Sequence, residues 1–111
     1  MDSPPTGADV ARFLGRSQDQ EMVALAGEHV RLVTAFVSGY TRGIGFEDPT
    51  DSSSDLEPDL RAVIVTATAR LVTNPAQTDR EGADGWFAVG SFNGFSLPEL
   101  AVLHRYRQRT A

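Results

Sequence analysis

The 111-residue sequence predicts a mainly α-helical domain: a small bundle of about four helices, with a long acidic loop and one short strand or hairpin-like segment before the last helix. Three observations lead there. Apolar residues recur at helical spacing over several stretches. Capping residues and prolines mark where those stretches begin. A single segment, Trp86–Phe92, alternates with period two instead. The length suits one domain spanning 1–111 with a modest core, and 41% apolar residues are more than a disordered chain carries.

Residues 1–8 are polar and proline-rich and are expected to be flexible. A short helix follows over Asp9–Leu14, with Asp9 as its cap and Gly15 as its stop. Ser17 and Gln20 have capping-box spacing, which predicts a second helix from Gln18 to about Gly39, interrupted only by Gly27. On a helical wheel Val23, Ala26, Val30, Val33 and Val37 form one stripe. Met22, Phe36 and Tyr40 lie beside it, and Leu25 and Leu32 lie further round. That apolar face covers half the circumference, wider than a surface helix needs. Part of it is therefore a candidate subunit contact.

Thr41–Glu57 reads as a long loop, with Gly43, Gly45, Pro49 and a Ser/Asp cluster at Thr50–Asp55. It holds five acids and one arginine. It reads first as a solvated linker, and otherwise as an acidic rim facing a basic partner or lining a channel. Pro58 opens a third helix, which Asn74-Pro75 closes after Thr73. Leu60, Val63, Ile64, Ala67 and Leu71 form its main stripe, and Val65 and Val72 a second. A helix apolar on two faces is sandwiched, so Val65 and Val72 are expected to meet a neighbouring subunit. In the strand, Trp86, Phe87, Val89 and Phe92 cannot all face inward, and they are expected at the same kind of contact. The last helix starts at the Ser96/Glu99 capping box with Pro98 in its first turn. Leu97, Leu100, Ala101, Leu103 and His104 are expected to share its buried face, with Val102 and Tyr106 pointing away.

Charge is uneven along the chain. Residues 1–60 hold eleven acids against four arginines, and residues 61–111 hold four against six, within a net charge of −5. An acidic half and a mildly basic end suit docking on a complementary surface, including a second copy. The arginines of the tail, 105–111, favour a protein–protein salt bridge over DNA phosphates. Met1-Asp2-Ser3-Pro4-Pro5 has neither a basic patch nor an apolar stretch, so no signal peptide is expected. No apolar run reaches the roughly 18 to 20 residues of a membrane helix.

No catalytic, cofactor or metal constellation is expected. Cysteine is absent. His29 and His104 lack ligand residues one turn away, and His29 reads as a packed histidine. Gly39–Gly45 lacks the Gly-Lys-Ser/Thr of a phosphate loop. The acids of the loop lack calcium-loop spacing. The chain therefore reads as a non-enzyme.

Three stretches resemble the head-to-tail adaptor (connector) proteins of tailed bacteriophages, of the siphophage type infecting actinobacteria. Leu60–Pro75, Leu-Arg-Ala-Val-Ile-Val-Thr-Ala-Thr-Ala-Arg-Leu-Val-Thr-Asn-Pro, is similar to that family's central helix. Phe95–Arg107 is similar to its terminal helix and basic tail, and Asp9–Gly15 to its opening helix. The resemblance implies a homo-oligomeric, usually dodecameric ring in the virion neck, assembled in the host cytoplasm. Such a ring sits between the portal protein and a stopper or tail-completion protein, with DNA passing through its lumen without sequence-specific binding. It further implies that the C-terminal segment, with Arg105, Tyr106, Arg107 and Arg109, reaches the portal. Deleting Arg105–Ala111 is then expected to spare the fold. A small helical DNA-associated or regulatory module is the alternative, and it would need a recognition helix with exposed basic and amide side chains.

Overall fold

Backbone N–H groups at a helix start need acceptors, and the first helix, α1 (Gly7–Phe13), finds one in Thr6. A computed structural model describes residues 1–73 and 94–108. The segment Trp86–Phe92, with Trp86, Phe87, Val89 and Phe92, lies outside them, as does Arg109. Thr6 and Asp9 make a reciprocal capping box: the Thr6 hydroxyl accepts from Asp9 N at 3.3 Å, and the Asp9 carboxylate from Thr6 N at 2.8 Å. Asp9 is thus the third residue of the box rather than the cap. Gly15, at φ +72°, ends the helix as expected.

The second helix, α2, runs Gln20–Thr41. Its cap is Asp19, whose Oδ1 accepts from Met22 N at 3.2 Å, and not Ser17. A carboxylate at the cap also meets the positive end of the helix dipole. At the far end Arg42 takes the left-handed conformation at φ 58°, and Gly43 N donates to Ser38 O at 2.9 Å.

The loop after α2 is organised rather than a loose linker. Phe46 and Leu56 are buried and bridge one another across it. Glu47 N donates to Asp55 O at 2.7 Å and Glu57 N to Gly45 O at 2.8 Å. Asp48 and Asp51 accept hydrogen bonds from residues two further on, Thr50 and Ser53, in the usual turn pattern of aspartate. The N-terminal segment, expected to be flexible, is tied to this loop. Asp2 and Leu56 exchange two backbone hydrogen bonds at 2.9 Å, and Pro5 is buried.

The third helix, α3, spans Pro58–Thr73, the boundaries read from the sequence. Leu60, Val63, Ile64, Val65, Ala67, Thr68, Ala69 and Val72 are all buried. It is sandwiched as expected, but by its own chain: α1 and α2 pack on it, as does the fourth helix, α4 (Leu97–Gln108). Val72 packs with Ala11 of α1 and Met22 of α2. Val65 and Val72 are each only 8% exposed, so the expectation of a subunit contact there is corrected. The chain supplies the second layer itself.

The described residues thus form four helices and almost no strand around one main core. Helices α1 and α2 cross where Gly7 meets Gly27. A Cβ at Gly7 would overlap the Val23 carbonyl oxygen and come within 2.6 Å of Gly27 N. Among the described residues no helix is long and apolar enough to cross a membrane.

Candidate functional site

Both described ends of the chain fasten to one short segment, residues 56–61. Leu56 pairs with Asp2. Arg61 donates from Nε to Ser3 O at 3.0 Å and from Nη2 to Asp9 at 2.9 Å. Burial pushes the Asp9 carboxyl up, but hydrogen bonds from Thr6 and Arg12 and the charge of Arg61 hold it below its ordinary value. At the other end Asp59 accepts from Arg105 Nη2 at 2.7 Å and from the Tyr106 hydroxyl at 2.6 Å. Tyr106 is 8% exposed, and burial together with the Asp59 hydrogen bond pushes its hydroxyl up to about 12.

The buried face of α4 is only partly the expected one: Leu103 is buried and Leu100 packs against the core as expected. Glu99, Leu103 and Tyr106 point inward, at i, i+4 and i+7, while Leu97, Ala101 and His104 are exposed. The reason is polar. Glu99 caps α4 by accepting from Ser96 N at 2.8 Å, and the same carboxylate accepts from Arg70 Nη2 at 2.6 Å. Thr66 also donates to it, and Arg70 donates to Gly94 O. Burial raises the Glu99 carboxyl, but hydrogen bonds from Arg70, Thr66 and Ser96 outweigh it, so it ionises below its usual range. An acid satisfied by α3 rotates α4 and brings Tyr106 inside. Of the residues expected at the portal, Tyr106 is corrected, because it is buried; Arg105 is exposed and pairs with Asp59 at the surface. Arg107 lies across the Tyr40 ring, 4.9 Å from its centre, and His104 stacks on the same tyrosine at 5.9 Å.

No protein-family model, curated protein or solved structure matches this chain.

The exposed large apolar side chains of the helices are Phe13, Leu25, Leu32 and Leu97, the last 82% exposed. Leu25 and Leu32 lie on α2 at the border between its apolar and charged halves. Glu21, Leu25, Glu28 and Leu32 are spaced four, three and four residues apart, so they form one exposed stripe alternating acid and leucine. Beside its start lies an open groove of about 470 Å³, lined by residues including Asp19, Glu21, Met22, Leu25 and Glu28. The sequence shows an over-wide apolar face here. It does not show which edge of that face stays uncovered, because that depends on where α1 and α3 pack. His29, expected to be packed, is half-buried, and its Nδ1 donates to Leu25 O at 2.9 Å. Among the described residues no cluster of three or more His, Asp or Glu side chains is placed to hold a metal ion.

Proposed function

We propose that this chain is a structural subunit that assembles with copies of itself, as the ring between portal and stopper or tail-completion protein in the neck of a tailed bacteriophage. One observation carries the self-assembly: Leu25, Leu32 and Leu97 stand exposed on helices whose other faces are well packed. Scattered apolar side chains are ordinary, but leucines in register along a helix stripe, bordered by charge, mark an interaction surface. The assignment to a phage neck is supported by the resemblance of Leu60–Pro75 and Phe95–Arg107 to head-to-tail adaptors. The acidic loop, with Glu47, Asp48 and Asp51 exposed, suits a surface that DNA passes without adhering.

The test is direct. Native mass measurement and negative-stain images of the purified chain, alone and with a portal ring, are expected to show closed rings. Antibody labelling of virions is expected at the head–tail junction. A chain that stays monomeric with the portal and instead binds one duplex sequence tightly would replace this reading with a DNA-binding one.

A further inference from the structure

We propose that the α2 stripe of one copy receives the exposed face of α4 from the next copy, antiparallel, in a head-to-tail contact. The two surfaces match in spacing. On α2 the exposed stripe is Glu21, Leu25, Glu28 and Leu32. On α4 it is Leu97, Ala101 and His104, whose ring also stacks on Tyr40 of its own chain, flanked by the exposed Arg105 and Arg107. Leu97 and His104 are seven residues apart, as are Leu32 and Leu25, about 10 Å on either helix. An antiparallel register that seats Leu97 on Leu32 therefore seats His104 on Leu25, and it puts the small Ala101 against Glu28.

The charges match in the same register. The acids of the stripe lie at Glu21 and Glu28, beside a groove that Asp19 and its ion-pair partner Arg16 also line, so three acids face one arginine there. The cations of α4 lie at its C-terminal end, which this register brings to that groove. Arg105 already pairs with Asp59, and Arg107 lies over Tyr40. They would present charge from those positions, their aliphatic stems lying along leucine. The reverse, parallel register would put basic residues on Leu32 and leave Leu97 among acids. The seven-residue spacing fits either direction, and the charge match selects the antiparallel one.

The contact joins different surfaces of two copies, so it is heterologous. Repeated, it builds a ring or an open filament rather than a closed pair. The inference deepens the ring reading and rests on it for closure.

The absence of native cysteine supplies a clean reporter. Full-length chains carrying Leu32→Cys and Leu97→Cys are mixed and oxidised. The expected product is the mixed dimer, with little Leu32-to-Leu32 product. In sedimentation velocity, Leu32→Glu and Leu97→Glu are each expected to weaken self-association by at least about tenfold. Their mixture retains one intact contact and is expected to stop at a pair. Circular dichroism of each variant checks that the fold is kept, and Glu28→Cys with Ala101→Cys gives a second reporter pair. A Leu32-to-Leu32 cross-link, which signals a two-fold α2 pair, would overturn the proposal. So would a wild-type chain that is monomeric at every soluble concentration and gives no mixed cross-link. The two readings fail separately. Rings without the Leu32–Leu97 cross-link keep the ring and remove this contact. The cross-link in a chain absent from virions keeps the contact and removes the neck.

Discussion

Glu99 sits where two requirements meet. As the third residue of a capping box it must reach Ser96 N, and as the acceptor for Arg70 and Thr66 it must face α3. Both are met only if the helix turns its acid inward, which an isolated glutamate would resist because burial disfavours its charge. Replacing it by glutamine removes the charge and leaves Arg70 against a neutral amide. Because Arg70 stays one-third exposed, the cost is less than that of breaking a fully buried pair, about 2 kcal/mol, measurable by urea unfolding at neutral pH. The sign of the pH effect follows from the lowered carboxyl. Its stabilisation is complete above the ordinary glutamate value of 4.5 and is lost as pH falls through the lower value in the fold. Glu99→Gln is therefore expected to flatten the acid limb of the stability profile below about pH 4.5. An unchanged limb would assign acid unfolding to Asp9, Asp19 and Asp48, whose carboxyls are also lowered.

At the scale of an element, α1 and α2 cross at two glycines that differ in what they tolerate. Gly27 weakens α2 by about 1 kcal/mol relative to alanine, yet a Cβ there would lie 3.9 Å from Gly7 Cα, an ordinary contact. A Cβ at Gly7 would instead strike the backbone of α2, which cannot move aside without unpacking Val10 and Ala11. Gly7→Ala is expected to destabilise by about 2–3 kcal/mol. Gly27→Ala should be neutral or stabilise by up to about 1 kcal/mol. Thermal unfolding of the two variants side by side checks the opposite signs. The sequence shows Gly27 as an interruption of a helix. It takes the packed pair to show that the space is spent on α1 and that Gly7 is the residue that cannot change.

Over the whole molecule, residues 56–61 gather both described ends: Leu56 and Arg61 hold the N-terminal segment, and Asp59 holds Arg105 and Tyr106. These contacts argue against the expectation that the basic tail can be cut without harm. Deleting Arg105–Ala111 removes a buried tyrosine and its hydrogen bond. It is expected to lower stability by about 3 kcal/mol, roughly 10 °C or more in Tm for a domain of this size. A calorimetric trace unchanged by the deletion would show that the clasp contributes nothing. Tests of the tail's charge are better made by replacing Arg107 and Arg109 singly, which keeps Tyr106 in place.

What the sequence by itself determined is local: the four helical segments, the boundaries of α3, the Ser96/Glu99 box, the Gly15 stop and the over-wide apolar faces. Each is dictated by side chains within one or two turns of one another, so spacing alone reveals it. Spacing does not separate competing caps. Thr6 lies three residues before Asp9 and Ser17 two before Asp19, and only the path of the chain decides which group turns toward the helix. The tertiary structure alone decided that Val65 and Val72 are covered by their own chain, that α4 is rotated to bury Glu99 and Tyr106, and that Leu25, Leu32 and Leu97 stay exposed. Those outcomes depend on pairs such as Arg70 with Glu99 and Asp59 with Tyr106, 29 and 47 residues apart. A helical period records which side of a helix is apolar. It does not record which neighbour covers that side, and at the α2 stripe that difference leaves Leu25 and Leu32 exposed.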